Sequence, residues 1–264
     1  MRKGLGCLAF ALAIFSSQSV FAETIDLTTA NSSGSATGAI GGTYLAVWSA
    51  AQPTGTGYID PFLRLQAKIA EQGYNTSSVT PAAPLDDKAG IWTHALLLSA
   101  VPIVTKNGVQ YREFFLDINE PNSGNNNLLS LNQVQIFLGP TDAGAGLTST
   151  GTNPYVLNTP AGATEIFRMS GGGGLQDVIQ LNYSLNSGSG SGDMLLYIPN
   201  ADFVGNGPYV TFYSQFGHPN QPSSDGFEEW AFRAAVPVPE PATILLLGIG
   251  LVGTGLMWSP RRQS

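Results

Sequence analysis

The sequence VPIVTKNGVQYREFFLDI, residues 101–118, predicts a β-hairpin and with it the class of the fold. Its centre, Asn107-Gly108, is the dipeptide that a two-residue type I′ turn favours, because both central positions need a positive φ. Runs rich in β-branched and aromatic residues lie on either side, at 101–105 and 110–118. This combination is the strongest short-range signal for two antiparallel strands.

Strand-like segments recur on both sides of this hairpin. In residues 131–138, Val134 and Ile136 alternate with Gln133 and Gln135, which is the two-residue period of a strand. Residues 59–70 fit either a helix or a strand, and we prefer a strand because the neighbouring segments are strands. The predicted strands are 43–49, 59–70, 91–98, 101–105, 110–118, 131–138, 165–169, 178–185, 194–198, 209–215 and 228–235.

The segments between these strands are rich in Gly, Ser, Asn and Pro, which is typical of turns. Residues 23–42 are polar and small, and we expect a loose lead-in there; residues 79–89 are predicted to form a loop. About ten short strands without a long helix favour an all-β domain, an antiparallel β-sandwich of the jelly-roll kind.

The first 22 residues have the features of a secretory signal peptide. Arg2 and Lys3 precede an apolar stretch at 5–15, and Val20-Phe21-Ala22 forms a cleavage site before Glu23. The sequence therefore predicts export through the Sec translocon and removal of the leader by signal peptidase after Ala22. The one cysteine, Cys7, lies inside this leader, so the mature chain is not built on disulfides.

The C-terminal segment, 238–264, contains three features in order. Pro239-Glu240-Pro241 is followed by an uncharged apolar run at 242–258 and then by Arg261 and Arg262. As a helix, at about 1.5 Å per residue, the run reaches roughly 26 Å, the short end of what crosses a bilayer core. We expect one transmembrane helix whose basic end is cytoplasmic. The division is then leader 1–22, ectodomain 23–237 and tail 238–264.

This tail resembles the PEP-CTERM sorting signal of Gram-negative bacteria that make exopolysaccharide. The resemblance implies that an exosortase recognises Pro239, Glu240 and Pro241 and cuts nearby, after a transient stay in the inner membrane. It further implies delivery to the cell surface or beyond, where exopolysaccharide is a possible partner. The ectodomain resembles cargo domains that recur with this tail, on the segments GTGYID (55–60), EQGYNT (71–76), FLDINE (115–120) and DGFEEW (225–230).

The ectodomain is acidic. Residues 23–237 contain 17 acidic and seven basic side chains, a net charge of −10. This balance argues against nucleic acid or an anionic membrane surface as a partner. It is compatible with divalent cations and with an extracellular location.

One polar cluster, DINEPN at 117–122, is a candidate metal site. Asp117, Asn119 and Glu120 offer the carboxylate and amide oxygens that Ca²⁺ prefers, although the spacing is not that of an EF-hand. The alternative is an Asx-type turn that ends the strand and needs no metal. A second acidic cluster at 225–229 would make calcium more credible if the two met in space.

Signals for catalysis are weak, and we expect no enzyme. His94 lies in an apolar run and His218 in a loop, and no zinc-protease, nucleophile-elbow or P-loop motif is present. A hydrolase pair of Glu113 with Glu228 or Glu229 is conceivable. The sequence therefore predicts a structural or adhesive protein of the biofilm matrix. The alternatives are a Ca²⁺-dependent carbohydrate-binding module and a secreted glycan-active enzyme.

Overall fold

A computed structural model of the chain describes residues 22–50, 59–78, 85–88, 90–122, 124, 126–151, 154–171, 176–188, 192–217, 221–224 and 226–233. The predicted leader, apart from Ala22, and the whole predicted tail lie outside these residues. Within them, no helix is long and apolar enough to span a membrane. The predicted span at 242–258 is therefore not part of what the structure describes.

The described residues contain eighteen strands and three 3₁₀ helices. The strands are β1 (Thr24–Asp26), β2 (Ser33–Thr37), β3 (Thr43–Trp48), β4 (Ile59–Leu65), β5 (Lys68–Ile69), β6 (Glu71–Tyr74), β7 (Leu96–Leu97), β8 (Ile103–Lys106), β9 (Val109–Asp117), β10 (Leu128–Gly139), β11 (Ser149–Thr150), β12 (Val156–Leu157), β13 (Thr164–Arg168), β14 (Val178–Asn182), β15 (Met194–Pro199), β16 (Tyr209–Phe216), β17 (Ser223–Ser224) and β18 (Glu228–Arg233). The 3₁₀ helices are Leu98–Ala100, Tyr183–Leu185 and Asn200–Asp202.

Most strands belong to two seven-stranded sheets. Sheet I has the order β1-β14-β10-β16-β6, with β13 also pairing with β10 and β7 with β16. Sheet II has the order β2-β3-β15-β9-β18-β4, with β8 pairing with β9. All pairings between the described strands are antiparallel except β1 with β14, which is parallel and departs from the predicted arrangement. The all-β class is thus confirmed.

The hydrophobic core lies between the two sheets. Phe212 of β16 packs against Phe62, Phe114 and Trp230 of sheet II, with ring centroids 5.5, 5.0 and 4.6 Å apart. Such offset and edge contacts stabilise a core beyond the burial of area alone. The indole N–H of Trp230 donates to Ser214 Oγ at 2.9 Å, so a polar contact also joins the sheets.

Residues 141–151 and 154–163 pack against the outer face of sheet I. Gln135 and Gln215 point outward from β10 and β16, yet both are buried, because Leu157 N–H donates to Gln135 Oε1 and Tyr155 N–H to Gln215 Oε1 at 2.7 and 2.8 Å. The alternation predicted for 131–138 is confirmed from Gln133 onward, but Leu131, which a strict two-residue period places on the face of Gln133, lies in the core with Val134 because of a β-bulge between Leu131 and Gln133. Its polar face meets a covering loop rather than solvent.

The hairpin predicted around Asn107-Gly108 is confirmed. Residues Ile103–Lys106 pair with Arg112–Val109, and Asn107 and Gly108 have φ values of 52° and 82°. The strand preference for 59–70 is confirmed as well, by β4 and the short β5.

Two local predictions are wrong. The lead-in 23–42 is not loose, because β1 joins sheet I and β2 pairs with β3 in sheet II. The segment 91–98 is mostly not a strand, since only Leu96–Leu97 pairs, with β16. Its apolar side chains lie at the margin of the sheet. The backbone there makes isolated hydrogen bonds, for example from His94 N–H to Phe62 O at 3.0 Å.

Candidate functional site

One end of the two sheets, here called the acidic end, collects buried carboxyl groups. The chain leaves β4, forms β5 and then enters β6, so it passes from sheet II to sheet I at this end. Strand β9 ends here at Asp117 and β18 begins here at Glu228. The pairing of Glu229 with Asp117 brings the two predicted acidic clusters side by side.

At the acidic end, Glu71 and Glu228 face each other between the sheets. Glu71 pairs in register with the core residue Phe216, and Glu228 is two residues from the core residue Trp230, so both side chains point inward. Both are fully buried, and their carboxyl groups lie close enough to shift each other's pKa.

Burial raises the pKa of Glu71 to about 7, opposed by its interaction with Glu228 and by the hydrogen bond from the Ala67 N–H. Burial also raises the pKa of Glu228 well above its usual range, and the carboxylates of Glu71 and Glu120 add to this, while the backbone of Asn119 opposes it. The pair therefore holds a proton at neutral pH.

The three predicted calcium ligands have different neighbours in the structure. Asp117 lies opposite Glu229, whereas Glu120 accepts from Ser224 N–H at 3.0 and 3.2 Å. The Asn119 carbonyl is covered by Gly226, where any added Cβ would overlap it. Glu120 thus binds the backbone of β17.

Within the described residues, no three His, Cys, Asp or Glu side chains are grouped so that they could hold a metal ion. Asp225, which belongs to the second acidic cluster, lies outside these residues. Calcium binding at the acidic end stays a prediction for measurement in solution.

Two further buried carboxyl groups lie in the interior. Asp87 covers Gly73 of β6, and burial raises the pKa of Asp87 to about 9. Asp193 accepts the Ile118 N–H at 2.9 Å, and burial raises its pKa well above the usual range, with Asp117 contributing. The Asp193 carboxyl group thus binds the backbone just after β9, whereas neither oxygen of Asp87 has a hydrogen-bond partner among the described residues.

On the outer face of sheet II, arginine and aromatic side chains form a small surface cluster. Arg64 is ion-paired with Glu229. Its guanidinium lies 4.6 Å from the ring centre of Trp92 and 5.0 Å from that of Phe227. Trp92 is half-buried and Phe227 is 36% exposed, so aromatic surface is available beside an ion pair.

The conceivable hydrolase pairs are not assembled. Glu113 and Glu228 point to opposite faces of sheet II, because Glu113 alternates with the core residue Phe114. Glu113 and Glu229 both lie on the outer face of sheet II. Glu229 is paired with Asp117, which lies four residues along β9 from Glu113, a distance of about 13 Å. Each is ion-paired, with Arg233 and Arg64 respectively.

Of the two histidines, the structure describes only His94. The ring nitrogens of His94 lie 2.9 Å from Ala95 O and 3.0 Å from Pro61 O, so the side chain joins two backbone segments. His218 lies outside the described residues, so its prediction as a loop residue is not tested.

Sequence reasoning missed Glu71, Asp87, Asp193 and the contact of Arg64 with Trp92. Each lies in a different segment, and the local pattern around it gives no sign of its role. The segments that resemble cargo domains provided the available signal, because EQGYNT, FLDINE and DGFEEW all reach the acidic end.

The sorting residues Pro239, Glu240, Pro241, Arg261 and Arg262 lie outside the described residues. Residues 237–262 match the family model of the PEP-CTERM protein-sorting motif. The chain therefore carries this motif, as the resemblance predicted. No curated protein and no solved structure matches the chain.

Proposed function

We propose that this protein is an exported cell-surface or matrix component, sorted by an exosortase, with a structural or adhesive role in an exopolysaccharide biofilm. The observation that carries the proposal is the sorting motif at 237–262, which begins four residues after the last described strand. Strand β18 ends at Arg233 and lies between β9 and β4 in sheet II. Removal of the tail would therefore leave every described strand in place.

The architecture supports a passive role. Two facing sheets with short connections are compatible with the predicted jelly-roll-like sandwich, a fold class common among binding and structural domains. The acidic groups Glu113, Glu165 and Glu229 are each engaged by an arginine. Two of these ion pairs join neighbouring strands of sheet II, and the third lies within β13.

Co-sedimentation with the host exopolysaccharide tests the adhesive role. We expect the mature chain to sediment with the polymer and to dissociate at high salt or in excess soluble polymer. A chain that stays in the supernatant at all polymer concentrations, while remaining folded by circular dichroism, would contradict this role without affecting the sorting motif.

A second candidate function, carbohydrate binding, is supported by the Arg64, Trp92 and Phe227 cluster. Aromatic rings stack on sugar faces, and a neighbouring ion pair can orient hydroxyl groups. A glycan array with the wild-type protein and the Trp92→Ala variant tests it, with Val204→Ala as a control because Val204 is exposed elsewhere. Parallel arrays with Ca²⁺ and with EDTA separate calcium-dependent from calcium-independent binding.

A further inference from the structure

The predicted leader cleavage site lies beside a buried carboxylate. Glu23, the first residue after the predicted cut, donates its backbone N–H to Asp177 Oδ1 at 2.8 Å. Asp177 is 6% exposed, whereas Ala22 and Glu23 are exposed. The bond to be cut is therefore accessible, and the nitrogen that the cut would free already contacts an interior acid.

Asp177 is held in place by neighbouring backbone contacts. Its position precedes β14, and Val178 N–H donates to Glu23 O at 2.9 Å, so β1 and β14 are joined at this point. Ser170 Oγ lies 3.1 Å from the Asp177 carbonyl, and Ser170 exchanges two hydrogen bonds with the Gln133 side chain. The carboxylate is thus preorganised before any charge arrives.

No cation among the described residues balances this carboxylate. Burial raises the pKa of Asp177, the Glu23 N–H opposes this, and the Glu23 carboxylate adds to the rise. Tyr44 also faces this carboxylate. The pKa of its phenol is raised, chiefly by burial and further by the charges of Asp177 and Glu23. A buried acid with acidic and phenolic neighbours is unfavourable until a positive charge reaches it.

We propose that Asp177 is the receptor for the amino terminus that signal peptidase creates at Glu23. Hydrolysis of the Ala22–Glu23 bond consumes one water and gives the Ala22 carboxylate and the Glu23 amino group. That amino group takes up a proton at neutral pH, since a free α-amino group has a pKa of about 7.7–8.0. The amide hydrogen bond of the precursor then becomes a charge-assisted ion pair, which is the stronger contact.

This assignment gives leader removal a structural consequence. The ion pair would fix β1 against β14, the parallel pair at the margin of sheet I. The exported protein would then be more stable than the precursor, so that the fold tightens after the chain has crossed the membrane.

The test compares the mature chain 23–264 with the same chain starting at Ala22, each with Asp177 and with the Asp177→Asn substitution. We expect the extra residue to lower the thermal midpoint by a few degrees when Asp177 is present and to have no effect in the Asp177→Asn background. An equal effect in both backgrounds, or none in either, would overturn the proposal. Circular dichroism at low temperature confirms that the substituted chains fold.

A second measurement does not depend on any substitution. Reductive ¹³C-methylation of the amino terminus allows its titration to be followed by NMR in the mature chain. We expect its pKa to exceed that of a matched unfolded peptide by about one pH unit, because the ion pair favours the charged form. An unshifted value would overturn the proposal. So would a mature amino terminus, found by mass spectrometry, at a residue other than Glu23.

Discussion

The carboxyl groups of Glu71 and Glu228 face each other across the space between the two sheets, and neither side chain has any exposed surface. Glu71 comes from β6 of sheet I and Glu228 from β18 of sheet II. The contact holds only while one carboxyl group keeps its proton, so the junction of the sheets depends on pH.

The free energy of unfolding is expected to fall as the pH rises from about 4.5 to about 7. The unfolded chain releases these carboxyl protons near the usual glutamate pKa of about 4.3, whereas the pKa of Glu71 in the folded chain is about 7 and that of Glu228 is also raised well above its usual range. The stabilisation is therefore fully present below the pKa of these groups in the unfolded chain. It is lost as the pH rises to their pKa in the folded chain. Each extra proton released on unfolding changes the stability by about 1.4 kcal/mol per pH unit. Urea unfolding across this range measures the slope.

A variant that cannot ionise at position 228 shows whether this pH dependence of stability comes from the Glu71–Glu228 pair. The amide of Glu228→Gln can donate a hydrogen bond to Glu71 at any pH, so we expect higher stability than wild type at pH 8 and a flatter profile between about pH 4.5 and pH 7. Asp87, whose pKa is raised to about 9, acts in the same direction in both proteins and therefore leaves the difference intact.

The neighbouring Glu229→Gln is the matched control. Glu229 is ion-paired with Arg64 on the outer face of the same strand, so its neutralisation should destabilise the protein at pH 8. If both substitutions shift the stability in the same direction, the assignment of a proton to the Glu71–Glu228 pair is wrong.

Ser214→Ala should destabilise the protein by about 1–3 kcal/mol, because it leaves the buried Trp230 N–H without its partner. Chemical denaturation measures this loss. A double-mutant cycle with Trp230→Phe isolates the contact: the serine substitution should cost much less once the indole N–H is absent. A cost that is unchanged in the Trp230→Phe background would contradict the assigned role.

Gly73→Ala should be among the most damaging small substitutions. A Cβ at this position would overlap the Asp87 carboxylate and lie 2.5 Å from Leu65 Cδ2, inside the core. Gly171→Ala is the control, because its Cβ would meet Ala39 at an ordinary 3.7 Å. Gly73→Ala should unfold at a clearly lower temperature than Gly171→Ala. Equal thermal midpoints would mean that the side chains around Gly73 can move to accept a Cβ, contrary to this prediction.

The sequence predicts those parts of the fold that depend on residues close together in the chain. The hairpin at Asn107-Gly108 follows from the backbone preferences of two adjacent residues, and the strand at 131–138 follows from alternation. The lead-in strand β1 could not be predicted, because its short polar sequence acquires strand structure from β14, which lies far along the chain. The segment 91–98 is apolar enough for a strand, but its backbone partners are individual groups at the sheet margin.

The candidate site shows the same limit more strongly. Asp117 and Glu120 are close in sequence and were grouped for that reason, yet the structure directs them to different neighbours. Glu71 and Glu228 have no local relation, because their contact exists only once two sheets face each other. The sorting tail, in contrast, is a linear signal, and its residues alone were enough to identify it.

The central claim is that residues 237–262 act as a sorting signal for a self-contained domain. Its most direct test is to express the wild-type chain and a chain ending at Pro237 in an exosortase-bearing host and to locate each by cell fractionation and surface proteolysis. We expect the wild-type domain at the cell surface, without its leader and with a new C-terminus near Pro239-Glu240-Pro241. The truncated chain should be exported but missing from the surface. Unchanged surface delivery of the truncated chain, or a wild-type product in the cytoplasm with its first 22 residues attached, would contradict this account.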